Sequence, residues 1–265
     1  MTLPFVKIEY NGSHSCVSWQ GLSLRGGNAL NGFMRGEVAN RLNDTPGRDE
    51  FHSHLRGLAL TGMGKDGLEV VLNAKIPEER DWAVGEALAE ALLIRSYGVV
   101  FPWNMGRDKR NARGSLPGAD IVGFLPLDSS FRLALGEVKT SCEDKYPPQV
   151  MSGRSGHLGH QIDNLAQNMG VIYQLLKWLH PRCKGTAHQD AFDKSLTLYL
   201  NSGNKAASLF GVLIRDTAPN ELDLQGRGND LGRKVVHPAS CELIAVYLPC
   251  KIADLPSQLK EGGAS

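Results

Sequence analysis

The chain has 265 residues, of which 42% are hydrophobic and 22% are charged, and its formal net charge is +1. This length suits one large domain or two modest ones, with enough residues for a buried core. The near-neutral charge excludes a strong overall attraction to nucleic acid or to an anionic membrane, so any such attraction must come from a local patch.

The cysteines and the N-terminus indicate a reducing compartment. The five cysteines are widely spaced and form no CxxC pair, which disfavours a disulfide framework or a structural zinc site. The first fifteen residues lack the basic start and apolar segment of a signal peptide. No apolar run approaches the ~20 residues that span a bilayer. We therefore expect a cytoplasmic protein with no membrane partner.

Residues 1–75 mix short strand-like pieces with glycine-rich turns. Residues 5–10 alternate like a strand, 28–44 predict a helix weakened by two glycines, and 67–76 predict another strand. The sequence GLALTGMGKDG is not a phosphate-binding loop, because Ala59 replaces the first glycine and Asp66 follows Lys65 in place of Ser or Thr. We assign 1–75 to a separate N-terminal region, for which docking to a partner is one hypothesis.

Residues 76–265 predict one α/β domain of the α+β kind, with a mixed central sheet flanked by helices. Acidic residues after Pro77 and the later Gly98 bound a first helix, and Pro181 is expected to end a long helix with apolar residues at alternating steps of four and three. The predicted elements are a helix at 77–98, strands at 119–125 and 131–139, helices at 156–180 and 187–201, and strands at 208–216 and 241–248.

The second predicted strand changes character along its length. Side chains alternate between the two faces of a strand, so Leu133, Leu135, Glu137 and Lys139 share one face. A solvated ion pair would lie on the face opposite the leucines and would be worth only ~0–1 kcal/mol. On the leucine face, Glu137 and Lys139 are partly buried, which is costly unless a cation and an anionic substrate compensate them.

Asp120 precedes this pair by seventeen residues, at the start of the preceding strand. Asp120 and Glu137-x-Lys139 together resemble the PD-(D/E)XK motif of a nuclease superfamily, with Ala119 in the place of the usual proline. The helix–strand–strand–helix order around the motif is also similar to that core, and the resemblance covers roughly residues 77–215. A bent or twisted first strand would bring Asp120 to the end of the second.

The resemblance implies that Asp120, Glu137 and the main-chain carbonyl of Val138 bind a divalent cation, magnesium or alternatively manganese. Hard oxygen ligands suit magnesium, which takes the rest of its shell from water and phosphate. The cation would polarise the scissile phosphate and help to generate hydroxide. Lys139 would orient or help to deprotonate the attacking water and stabilise developing negative charge.

Members of the superfamily often add polar residues from the flanking helices. Glu86 and Glu90 lie one turn apart on the first predicted helix. We favour Glu86 as an additional catalytic and metal-binding residue over Glu90, against the alternative that both are surface glutamates. Gln161 borders the apolar stripe of the long helix, and it is either a site residue or a helix-flank glutamine.

The stretch RDKRNAR carries four basic residues and one acid ahead of the predicted hairpin. It is either a phosphate-contacting loop for DNA or a solvated charged loop, and Trp103 nearby could stack on a base or anchor that loop. His157 and His160 have HxxH spacing, but no third metal ligand is apparent. The candidate nucleic-acid-binding residues of the stretch are Arg107, Lys109, Arg110 and Arg113.

The pattern of the whole chain also resembles the HamA family, the nuclease subunits of the Hachiman anti-phage defence system. The resemblance rests on GADIVGF, LALGEVKTS, GHQIDNL and the two late strands. It implies a superfamily 2 helicase partner (HamB-like) that restrains a DNA nuclease of little sequence preference. The alternatives are a stand-alone sequence-specific restriction endonuclease and a non-catalytic nucleic-acid-binding subunit with the same fold.

Overall fold

The computed structural model describes residues 3–73, 81–108, 118–151 and 156–259, which form a mixed six-stranded sheet flanked by helices. The order of strands across the sheet is β1-β2-β6-β5-β4-β3. The strands are β1 (Val6–His14), β2 (Val17–Leu24), β3 (Ile121–Pro126), β4 (Phe131–Ser141), β5 (Ala207–Arg215) and β6 (Ser240–Tyr247).

The four inner strands are parallel and both edges are antiparallel. β2 pairs with β6, β6 with β5, and β5 with β4 in parallel, whereas β1 and β3 form antiparallel hairpins with β2 and β4. β5 lies in the centre, and all nine of its residues are buried. This explains its almost continuous apolar sequence, since a strand covered on both faces needs no polar alternation.

The helices follow the strands in chain order with short connections. A π-helical turn at Met34–Val38 joins the first two into one continuous helical segment. The α-helices are α1 (Asn28–Phe33), α2 (Ala39–Asn43), α3 (Thr45–Leu58), α4 (Gly62–Leu72), α5 (Asp81–Tyr97), α6 (Met105–Asp108), α7 (Leu158–Gln167), α8 (Met169–Cys183), α9 (Gln189–Asn201), α10 (Gln225–Gly232) and α11 (Leu255–Gln258).

The two faces of the sheet carry separate cores. On one face, α5 and the α1–α2 segment pack against even-numbered β4 residues such as Ala134 and Val138. On the other, α7, α8 and α9 pack against Leu133 and Leu135. Each leucine removed from water in this way stabilises the fold by roughly 1.5–3 kcal/mol. Glu137 and Lys139 belong to the second face, as the alternation predicts.

The predicted mixed sheet with flanking helices is confirmed, and so are the helix at 28–44, the hairpin and the two late strands. The helix predicted from Pro77 is described from Asp81 and ends at Tyr97, before Gly98 with a φ of 71°. Its expected first turn lies outside the described residues. The loop between the two late strands contains α10, which was not expected from the sequence because glycines are unfavourable in helices.

Two predicted elements are wrong. The strand predicted at 67–76 is helical as far as Leu72, Asn73 caps that helix, and residues 74–76 lie outside the described part of the chain. The single helix at 156–180 is two helices, because the Asn168 side chain accepts hydrogen bonds from Gly170 N and Val171 N and starts α8. Pro181 does not end α8, since Lys184 N still bonds to His180 O across it.

The boundary placed at residue 75 stays a prediction. Strands β1 and β2, which come before it, complete the same sheet as the strands that follow it. α3 and α4, in contrast, bury no residue. Among the described helices, none is long and apolar enough to cross a membrane.

Candidate active site

The β3–β4 hairpin places Asp120 opposite Glu137. The strands pair from Pro126 with Phe131 back to Ile121 with Gly136, so the next positions back are Asp120 and Glu137. The Asp120 main-chain N–H donates to the Gly136 carbonyl at 3.1 Å, although Gly136 is already the register partner of Ile121. The chain bends at Asp120, as expected from the resemblance, and this bend with the hairpin register brings the two carboxylates together.

Asp120 also uses its side chain to extend the sheet. Its Oδ2 accepts a hydrogen bond from Val138 N at 3.0 Å, where β3 no longer supplies a main-chain partner. The N–H and C=O of one strand residue point to the same side of the strand. The Val138 carbonyl therefore points to the edge that Asp120 occupies, as the predicted role of Val138 as a metal ligand requires.

Glu137 and Lys139 form an ion pair beside Asp120. Lys139 Nζ donates to Glu137 Oε1 at 2.7 Å, and 4% of the Glu137 side chain is exposed against 22% of that of Lys139. An ammonium group has three N–H donors. Among the described residues Glu137 accepts one of them, which leaves two for water or a phosphate group.

Burial and the nearby Asp120 carboxylate raise the pKa of Glu137 to about 8, although Lys139 opposes the rise. The two adjacent carboxylates repel each other when both are ionised. Taking up a proton or binding a cation relieves this repulsion. The donor set of two carboxylates and one carbonyl consists of hard oxygen atoms and fits a magnesium ion.

Glu86 is half-buried on α5, on the other side of the sheet. Its neighbour Gly85 lies so close to β4 that a Cβ at that position would be 2.7 Å from Thr140 Oγ1. Thr140 points away from the face that carries Lys139. Within the described ranges no group of three or more His, Cys, Asp or Glu is placed to hold a metal. The role of Glu86 as an additional ligand stays a prediction.

Glu90 has a different environment from Glu86, one turn further along α5. It is fully buried, and its Oε2 accepts from Arg41 Nε at 2.7 Å and lies 2.6 Å from Arg41 Nη2. Arg41 also donates to the Trp103 carbonyl at 2.7 Å. Glu90 is therefore neither a surface glutamate nor a candidate ligand, but the partner of an arginine that joins α2 to α5.

The residues predicted on the helix after the hairpin lie at the start of α7. The carbonyl oxygen Oε1 of Gln161 and Nδ1 of His157 are buried, and neither has a hydrogen-bond partner among the described residues. α7 packs across β4 and β5, with Leu158 against Gly211, the register partner of Glu137. His160 is exposed. Gln161 thus has an unused acceptor on the face of the sheet that carries Glu137.

The predicted phosphate-contacting loop is described only at its start. The Arg107 side chain is 55% exposed and lies 3.2 Å from Asp108. Lys109, Arg110 and Arg113 lie outside the described residues. Trp103 is buried, donates from Nε1 to the Val122 carbonyl at 2.7 Å, and is therefore an anchor with no face free for a base.

The sequence did not reveal a buried polar cluster at the end of β5. Arg215 pairs in register with Ser141 on the face that carries Lys139. It is fully buried, lies 3.6 Å from Asp223, and donates from Nη2 to the Lys145 carbonyl at 3.1 Å. Arg215 therefore fixes the loop that follows β4. An arginine directly after nine apolar or small residues was the available signal.

Comparison with protein-family models and with curated proteins finds no match to this chain. The resemblance to the nuclease superfamily accordingly stays a prediction, which rests on the residues described above.

Proposed function

We propose that the chain is a magnesium-dependent nuclease of the PD-(D/E)XK type. The observation that supports this most strongly is the meeting of Asp120, Glu137 and Lys139 at the point where β3 ends and the edge of β4 becomes accessible. The order of α5, the β3–β4 hairpin, α7 and β5 also supports a core of that type. Two carboxylates that can hold a divalent cation, with an ammonium group beside them, suit phosphodiester hydrolysis.

Each residue has a role that follows from its contacts. Asp120, held in place by Val138 N, and Glu137, held by Lys139, would bind magnesium together with the Val138 carbonyl. Magnesium at this site supplies Lewis-acid polarisation of the scissile phosphate and acidifies the attacking water. The two remaining N–H groups of Lys139 orient that water and stabilise the charge that develops on phosphate oxygens.

We further propose that the nuclease acts on DNA within an anti-phage complex with a superfamily 2 helicase. The support is the HamA-like sequence pattern together with the near-neutral net charge. A nuclease with little overall attraction to DNA is easily kept inactive by a partner. In this proposal the helicase delivers DNA to the Asp120–Glu137–Lys139 site, and cleavage depends little on sequence.

A cleavage assay tests the proposal. Purified protein is incubated with plasmid and with linear DNA in magnesium and in EDTA, alone and with the helicase partner and ATP. We expect magnesium-dependent cutting into a smear, reduced at least about a hundredfold in Glu137→Gln and in Lys139→Met. The exposed Glu69→Gln and Lys65→Met substitutions on α4 are matched controls that retain activity.

Two results would count against the proposal. Cutting that persists in EDTA and in Glu137→Gln would come from another site or a contaminant. The absence of cutting by wild-type protein with the helicase and ATP present would favour the non-catalytic binding subunit. Discrete bands in place of a smear would indicate a sequence-specific restriction endonuclease.

A further inference from the structure

A cleft of about 780 Å³ lies beside the strand that carries Asp120. One end of the cleft is Gly118, which contacts Val171 and Leu175 of α8. Gly118 is two residues from Asp120, and an extended chain advances at most ~3.6 Å per residue. The cleft therefore begins within one nucleotide spacing of the candidate active site.

The lining of this cleft suits a polyanion. It includes Gln174, Lys177, Trp178 and Arg182 from one face of α8, and none of its described lining residues is Asp or Glu. The neighbouring cleft around the α7–α8 junction, in contrast, contains Asp163. The ammonium group of Lys177 attracts phosphates, and no described acidic residue of the lining repels them.

Arg182 and Trp178 make one wall of the cleft rigid. The Arg182 guanidinium lies 3.8 Å from the centre of the Trp178 ring, and its Nε donates to Asp108 Oδ1 at 2.7 Å. Asp108 is adjacent to Arg107, at the start of the basic stretch. Arg182 is thus committed to holding α8 against α6, and Lys177 has no ion pair within the described residues.

An exposed aromatic residue lies next to Lys177 on α8, although it does not itself line the cleft. Tyr173 is 64% exposed on α8 and precedes Lys177 by one helical turn, so their side chains are neighbours. An exposed tyrosine on a helix next to a lysine is suited to stack on a base while the ammonium group contacts its phosphate. Stacking of this kind requires an unpaired base and tolerates any sequence.

We propose that this cleft binds a single nucleic-acid strand, with Tyr173 stacked on a base and Lys177 on a phosphate. The inference deepens the proposed nuclease function and rests on it. The substrate is then single-stranded nucleic acid, and the strand in the cleft leads toward or away from Asp120.

The test measures binding separately from cleavage. Fluorescence anisotropy with the full chain in EDTA, using labelled oligothymidylate of about 20 nucleotides and a duplex of equal length, reports binding without hydrolysis. We expect tighter binding of the single strand. Tyr173→Ala weakens it about tenfold, whereas Tyr173→Phe retains it, because stacking needs the ring and not the hydroxyl.

Lys177→Ala gives an independent readout. It should weaken binding and reduce the slope of log affinity against log salt concentration by about 0.7, the value for one phosphate contact on a single strand. Lys65→Ala on α4 is the charge-matched control and should bind as wild type does.

The inference is overturned if wild type does not bind the single strand, if it prefers the duplex, or if Tyr173→Ala and Lys177→Ala bind as wild type does. Its failure is distinguishable from failure of the nuclease proposal. If the protein cuts DNA in magnesium but Tyr173→Ala and Lys177→Ala bind as wild type does, the nuclease proposal stands and the proposal that the cleft binds a single strand fails. If those variants bind the single strand more weakly but no condition gives cutting, the cleft proposal stands and the nuclease proposal fails.

Discussion

Glu90 and Glu137 are both buried glutamates that accept a hydrogen bond from a cationic side chain at 2.7 Å. Glu90 faces the guanidinium of Arg41, which supplies two nitrogen atoms and stacks 4.9 Å from the centre of the Phe101 ring. Glu137 accepts from the single ammonium of Lys139 and has the Asp120 carboxylate as a second neighbour.

This difference separates a structural ion pair from a candidate catalytic one. Burial and short distances are common to both pairs, so neither property identifies a site. A second carboxylate is what distinguishes Glu137, because the nearby Asp120 raises the pKa of Glu137 in addition to the effect of burial. Substitutions of Glu90 and of Glu137 should therefore change the stability of the protein in different ways.

The largest expected effect on stability belongs to Glu90. Removing one partner of a buried ion pair leaves an uncompensated charge and costs about 3–5 kcal/mol in the free energy of unfolding. We expect Glu90→Ala to show a loss of this size in urea denaturation. The double variant Arg41→Met/Glu90→Leu removes both charges and should recover most of the loss. If the double variant loses as much unfolding free energy as Glu90→Ala does, an uncompensated charge does not explain the loss.

The ionised Glu137 carboxylate, unlike that of Glu90, is expected to lower the free energy of unfolding of the metal-free protein. Its folded pKa of about 8 lies above the ordinary value of 4.5, so the folded protein keeps a proton that the unfolded chain loses between these values. The free energy of unfolding contributed by this group therefore falls as pH rises from about 4.5 to about 8, and then levels off.

Glu137→Gln should remove this dependence and exceed wild type in stability at pH 8 by on the order of 1 kcal/mol. The measurement is thermal unfolding in EDTA across that range of pH, with Glu37→Gln as a control that keeps the wild-type slope. If the stability of Glu137→Gln depends on pH as that of wild type does, the pKa of Glu137 is not raised in the folded protein.

The smallest effect is expected at Glu37. Its carboxylate accepts two hydrogen bonds from Arg95, at 2.6 and 2.7 Å, but both side chains are largely exposed. Solvent screens such a pair, so Glu37→Ala should leave the unfolding midpoint within experimental error of wild type. A shift comparable to that of Glu90→Ala would mean that distance, and not burial, sets the strength of these pairs.

The sequence predicted the hairpin well enough to have given its register. The Leu127 N–H donates to the Ser130 carbonyl in the connecting turn, and counting back equally from this turn pairs Asp120 with Glu137. Turn length fixes register in a hairpin, but it does not predict the bend of the chain at Asp120. That bend was expected only from the resemblance to the nuclease superfamily.

Other features lay beyond sequence reasoning. The partner of Glu90 is Arg41, forty-nine residues earlier in the chain, and no local spacing reveals such a contact. The apolar periodicity continues through Asn168, so it concealed the break between α7 and α8. Val70 and Val71 favoured a strand, yet both are exposed on α4, where β-branched residues meet no neighbouring strand.

Metal binding by the isolated protein tests the central claim most directly, since it requires neither a helicase nor DNA. Titration of EDTA-stripped protein with manganese, followed by electron paramagnetic resonance, should show a bound ion in wild type and in Glu37→Gln. We expect affinity at least about tenfold lower in Asp120→Asn and in Glu137→Gln, each of which removes one anionic ligand. Equal affinity in all four proteins would contradict the assignment of Asp120 and Glu137 as a cation site.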